Sequence, residues 1–256
     1  MINIAINGCN GKMGLVLTNM IKESENIRVI SGIDRNPEKS NREYPIYKEI
    51  WDMKEEIDAI IDFSHYSNLN NLLDYGIKNN IPLVIATSGF IQKDEKLIEE
   101  ASKEIPILYS KNMSLGINIL VELAKNISNI LGENFDIEII EKHHNTKVDA
   151  PSGTACMIAD EINKSFNNTK NYVFGRKGHK QLRTKNEIGI HSIRGGTMSG
   201  EHTVLFSGLD EMIEIKHTAI TKNIFALGAI KGVKFVINKK NGLYSMLDIF
   251  NFIESN

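Results

Sequence analysis

Between Glu141 and Ala155 the chain reads EKHHNTKVDAPSGTA, which puts two adjacent histidines, a lysine and a Ser-Gly-Thr turn within one short stretch. An imidazole exchanges a proton near neutral pH, and a lysine fixes charge or acts as an acid when its pKa is lowered. Pro151 and Ser152 suit the start of a helix, expected over 153–162. The first N–H groups of that helix, at Gly153 and Thr154, together with the Thr154 hydroxyl, would hold a carboxylate or phosphate. An anion holder beside His143, His144 and Lys147 suits a carboxylate-bearing substrate with a carbon or nitrogen to be protonated. A histidine at a strand end also serves simply to satisfy hydrogen bonds. Zinc is the rival chemistry, but adjacent histidines on a strand point to opposite faces, so at most one of the pair could join such a site. No metal is expected.

A second constellation lies near the amino terminus, where the apolar run INIAI leads into Gly8-Cys9-Asn10-Gly11-Lys12-Met13-Gly14 and then an apolar helix. Glycines at a strand-to-helix turn let a pyrophosphate meet backbone N–H groups, although a plain tight turn uses glycines too. Asp34 ends the second expected strand, 34 − 14 = 20 positions after Gly14, where a ribose-binding carboxylate is expected. A carboxylate favours a free 2′-OH, whereas Lys12 and Arg35 balance a 2′-phosphate, so NADH and NADPH both stay open.

These groups need a scaffold. Short apolar runs at 2–6, 27–33, 59–63, 82–86 and 105–109 alternate with amphipathic segments at 13–22, 69–78 and 93–103, the pattern of a parallel sheet with crossover helices. After Tyr109 the texture changes to a helical 115–131, a strand at 135–140 and the histidine motif. Strand patterns then follow at 187–194, 202–208 and 212–219 without intervening helices. Helical spacing returns at 223–236, which is expected to pack back on the first domain. The fold class is therefore α/β, a Rossmann-type doubly wound parallel sheet, plus an α+β substrate domain with a mixed or antiparallel sheet. The expected division is 1–112 with 222–256 for dinucleotide binding, and 113–221 for substrate binding and oligomerisation.

Bulk properties narrow the partners. A chain of 256 residues with 41% hydrophobic content and a formal net charge of −2 has no basic field for nucleic acid or an anionic membrane. No apolar run reaches about 18 residues, and the start MINIAINGCNG lacks a signal-like pattern. Two cysteines in no disulfide or metal-ligand spacing fit a reducing cytoplasm.

The run H-H-x-x-K-x-D-A-P-S-G-T resembles the 4-hydroxy-tetrahydrodipicolinate reductase (dihydrodipicolinate reductase) family, of the diaminopimelate route to lysine. The resemblance extends over nearly the whole chain, through the glycine loop, Gly189-Ile-His-Ser-Ile-Arg-Gly-Gly, Gly200-Glu-His-Thr-Val and Gly242-Leu-Tyr-Ser-Met. It implies reduction of 4-hydroxy-tetrahydrodipicolinate, a small dicarboxylate, by NADH or NADPH. His143 would then be a proton donor or acceptor, Lys147 a second proton donor, and His144, Ser152, Gly153 and Thr154 substrate-binding. The cofactor would be lined by Gly8, Cys9, Asn10, Gly11, Lys12 and Met13, by Asp34 and Arg35, by Ala86, Thr87 and Ser88, and by Ser110, Lys111, Asn112 and Met113. A homotetramer joined through the substrate-domain sheets is implied as well. Two positions depart from the family pattern: Ala86 where it has glycine, and Lys222 where it has arginine. Another two-domain dehydrogenase, of the aspartate or sugar type, would not need the H-H-x-x-K run. A non-catalytic dinucleotide sensor would not need His143 and Lys147 together.

Overall fold

The computed structural model describes residues 1–39, 42–179 and 182–254. The chain forms two compact units, one made of Met1–Leu115 with the segment from Lys222 onward, the other of Gly116–Thr221. Positions 255 and 256 of the expected first domain lie outside the described residues.

The first unit is built on strands β1 (Ile2–Asn7), β2 (Ile27–Ile33), β3 (Ile46–Tyr47), β4 (Ala59–Asp62), β5 (Leu83–Ile85), β6 (Pro106–Tyr109) and, late in the chain, β12 (Gly242–Tyr244). All pair in parallel, in the order β12-β6-β5-β4-β1-β2-β3. That is the doubly wound order, with its reversal between β1 and β4. Apolar runs form these strands because both faces are covered. Ile4, Ile6, Ile61, Val84 and Leu108 face one core with residues of α1 (Lys12–Lys22) and α6 (Asn223–Val236). Ala5, Ile60, Leu83, Ile85 and Ile107 face the other, with residues of α2 (Leu69–Asn79) and α3 (Gln92–Ala101).

The second unit holds nearly all of α4 (Leu115–Leu131), then β7 (Asp136–His143), α5 (Gly153–Lys164), β8 (Asn171–Phe174), β9 (Glu187–Arg194), β10 (Gly200–Ser207) and β11 (Met212–Ala219). Its sheet runs β11-β10-β7-β9-β8 and is mixed: β7, β8 and β9 are parallel, while β10 is antiparallel to both β7 and β11. Ile137, Ile139, Ile188, Ile190, Val204 and Phe206 alternate onto one face of the sheet, where they share a core with α4 and α5. A last helix, α7 (Met246–Glu254), belongs to the first unit. Among the described residues no helix is long and apolar enough to cross a membrane.

Several strands differ from the sequence reading, among them the short β3 and β12, for which no strand was expected. β7 extends through Glu141-Lys-His143 because those polar residues sit in register between β9 and β10. β10 starts at Gly200, which reads as a turn but stands in the ladder because the His143 ring occupies the side-chain space there. β8 escapes the pattern because it is a half-exposed edge strand with no alternation to betray it.

The close approach of α1 to the first turn gives a test. A Cβ at Gly14 would overlap the Gly8 and Cys9 carbonyl oxygens, whereas one at Gly153 would meet nothing within 4 Å. Gly14→Ala is expected to cost about 1–3 kcal/mol, the usual penalty for overpacking, and Gly153→Ala less than about 0.5 kcal/mol. Urea midpoints that are the same for both variants would show that the loop does not depend on the glycine.

Candidate functional site

The first unit presents a cleft at the carboxyl ends of β1, β2 and β4. Gly8 has φ +84 and a Cβ there would stand 2.6 Å from the Phe63 carbonyl oxygen, so the loop requires glycine on both conformational and steric grounds. Gly11 caps α1 without a side-chain hydrogen bond, and no acidic residue stands in the first turn, so the helix offers backbone N–H groups to an anion. The cleft, of about 520 Å³, is lined among others by Gly8, Asn10, Gly11, Asp34, Arg35 and Lys48. Asp34 braces it, one carboxylate oxygen accepting from Asn10 N–H at 3.1 Å and the other from Asn36 N–H at 3.0 Å. Glycine closeness, helix N–H groups and a carboxylate at the end of β2 together fit a dinucleotide.

The remaining expected cofactor residues lie in the glycine loop, at the start of α1 and after β5 and β6. The Cys9 side chain is fully buried in the core, its thiol pushed up to about 12 by burial and then by Asp34, so only its backbone belongs to the loop. Lys12 is exposed in the first turn of α1, and Met13 packs half-buried against the core. Ala86, Thr87 and Ser88 follow β5, and Ser110, Lys111, Asn112 and Met113 follow β6, along the sheet edge where open α/β sheets bind ligands. Of these Thr87 and Met113 are buried, Ser110 Oγ donates to the Asn112 carbonyl at 2.8 Å, and Lys111 pairs with Glu95 at 2.8 Å.

In the second unit the chemistry gathers around Glu141, which has no exposed surface. Its oxygens accept from the Arg194 fork at 2.7 and 2.8 Å, from Ser152 N–H at 3.1 Å and from His143 Nδ1 at 2.5 Å. Burial alone would raise its pKa, but hydrogen bonds from Arg194, Ser192 and His143 outweigh that and hold it at about 2. His143 is lowered, by burial first, against the pull of Glu141. His202 is lowered to about 4, by burial and then by His143, whose ring centroid lies 5.2 Å away.

The residues after β7 form an exposed turn. Lys147 Nζ reaches both Asp149 oxygens, at 2.7 and 2.8 Å, and that contact is the main reason the Asp149 carboxyl is lowered. His144 Nδ1 pairs with the Thr146 hydroxyl at 2.7 Å. Ser152 then starts α5, its hydroxyl accepting from Ala155 N–H at 3.1 Å, which leaves the N–H groups of Gly153 and Thr154 ahead of the capped one. The hydroxyl also meets His202 Nε2 at 2.9 Å, and Ser152 is buried. Its side chain is thus a cap rather than the substrate contact expected of it. Glu141, Arg194 and His202 are the residues that sequence reasoning passed over. For Glu141 the signal was its two-residue spacing from His143, which puts both on one strand face; Arg194 becomes visible only through its register opposite His143.

Both parts of the chain match sequence models of one family: "Dihydrodipicolinate reductase, N-terminus" over residues 2–113 and "Dihydrodipicolinate reductase, C-terminus" over residues 116–250. A 4-hydroxy-tetrahydrodipicolinate reductase of Caldanaerobacter subterraneus is 49% identical over 97% of this chain and 98% of its own length. One from Clostridium tetani is 48% identical over 96% of each. A dipicolinate-bound dihydrodipicolinate reductase from a Paenisporosarcina species has the same fold, with a TM-score of 0.78 at 22% identity over 96% of this chain and 97% of that one. With the motif, the doubly wound order and near-complete coverage in agreement, the chain belongs to the dihydrodipicolinate reductase family.

Proposed function

We infer that this chain reduces 4-hydroxy-tetrahydrodipicolinate to tetrahydrodipicolinate with NADH or NADPH, in the diaminopimelate route to lysine. The observation that carries the reading is the cluster in which Glu141 and Arg194 hold His143 beside the Ser152-capped start of α5, in a chain whose family acts on such a substrate.

Bound reduced nicotinamide supplies hydride. The protein's part is to bind, orient and move protons. The N–H groups at the start of α1 take the pyrophosphate in the cleft lined by Gly8, Asn10 and Gly11, with Asp34 at the adenosine ribose and Arg35 and Lys48 as nearby cations. The Gly153 and Thr154 N–H groups and His144 take the substrate carboxylates, for which the start of α5 is electrostatically suited. His143 and Lys147 handle the proton that reduction of the ring requires. The proposed assembly is a cytoplasmic homotetramer joined through the sheet face turned away from α4 and α5. That face carries Ile193 and Met212, 46% and 61% exposed.

The direct test supplies purified protein with the condensation product of pyruvate and aspartate semialdehyde and follows nicotinamide absorbance; no substrate-dependent loss would overturn the reading. Within it, Lys147→Ala and His143→Ala should each lower kcat by about 10²-fold or more, with little change in cofactor affinity. Full kcat in either variant would reduce that residue to a structural one. Thr154→Val should raise KM more than it lowers kcat, and an unchanged KM would remove the α5 start from substrate binding.

Cofactor choice has its own measurement. Asp34→Ala removes an acceptor for the 2′-OH and a repulsion against a 2′-phosphate, which should shift the ratio of NADH to NADPH kcat/KM about tenfold toward NADPH. Loosening of the Asn10 and Asn36 contacts affects both cofactors and cancels in that ratio. An unchanged ratio would make Asp34 only a brace of the loop.

A further inference from the structure

His143 has two ring nitrogens, and the fold commits one of them. Nδ1 lies 2.5 Å from Glu141 Oε2, which also accepts from Arg194 Nη1 at 2.8 Å. An ionised carboxylate only accepts, so the proton in the contact with His143 belongs on Nδ1. The carboxylate cannot turn away, because its other oxygen is held by Arg194 Nη2 at 2.7 Å and by Ser152 N–H at 3.1 Å. Glu141 and His143 stand two residues apart on β7 and share a face, so the strand itself sets their approach. Nε2 is the ring's remaining polar atom, on the Gly200 side, where the absence of a side chain makes room for it.

We propose that Glu141, clamped by Arg194, is a positioning residue that keeps the His143 proton on Nδ1, so that Nε2 presents a lone pair and His143 meets the substrate as a hydrogen-bond acceptor. In a free neutral histidine the proton prefers Nε2, so this arrangement reverses the default. The inference rests on the reading of His143 as a proton-handling residue and decides which way it faces. The groups around the ring are Glu141 on its own strand, Arg194 on β9, His202 on β10 and Lys147 in the following turn. Burial lowers the His143 pKa first, Glu141 opposes it, and Lys147 and Arg194 add to the lowering, so the net effect favours the neutral imidazole.

The test begins with the unaltered protein. In protein labelled with [15N]histidine, with His143→Gln used to identify the signals, His143 at pH 8 should show a protonated Nδ1 and an unprotonated Nε2. A protonated Nε2 overturns the proposal, and this result does not depend on any turnover, so it stays separate from the assignment of the reaction. In Glu141→Gln the neutral tautomers should mix and kcat should fall at least about tenfold, as it does elsewhere when a histidine loses its orienting carboxylate, with KM within about threefold. The acid limb of kcat/KM should move to lower pH, because the carboxylate that raises the His143 pKa is gone. An unchanged pH profile and tautomer in a folded Glu141→Gln overturn the proposal. Should that variant fail to fold, the tautomer in the unaltered protein decides alone.

Discussion

A carboxylate with no exposed surface, Glu141, is the constraint on which the second unit rests. An isolated ionised group in such a place would be prohibitive, so its partners are structural necessities as much as chemical ones. They come from three elements: Arg194 from β9, His143 from β7 itself, and the Ser152 N–H from the start of α5. Removing one partner of a buried charge pair typically costs about 3–5 kcal/mol, a large share of the ~5–15 kcal/mol that holds a domain together. The charge therefore sets where α5 begins, and with it the direction of the N–H groups at Gly153 and Thr154.

The same economy operates around Ser152. Its N–H satisfies Glu141, its hydroxyl caps Ala155, and that hydroxyl also meets His202 on β10. A buried hydroxyl with these contacts has little capacity left for a ligand. Helix start, imidazole and guanidinium are thus one connected polar network, with His144 and Lys147 in the turn that follows β7.

In the first unit the corresponding constraint is steric. Gly8 and Gly14 let the turn and α1 approach closer than any side chain allows, and the reward is a helix start whose N–H groups are available to an anion. Asp34 links this loop to its neighbour by accepting from Asn10 and Asn36. Asp34 therefore keeps the loop in shape.

Much of this was legible in the chain itself. Period-two and continuous apolar runs mark the strands because burial on one or both faces demands them, and α4, β2, β9, β11 and α6 lie at their expected positions for that reason. The glycine spacing and the His-His-x-x-Lys run singled out both sets of candidate residues because local backbone geometry and side-chain chemistry are written in residue type. What tertiary structure alone decided is pairing across strands and between distant segments. That Arg194 rather than water answers Glu141 and that Gly200 yields its space to an imidazole depend on register, while the burial of Ser152 as a cap and of Cys9 in the core depends on packing between distant segments. Register places residues side by side that are far apart in the chain. Residue type sets which contacts a group needs, and only the assembled sheet determines which partner supplies them.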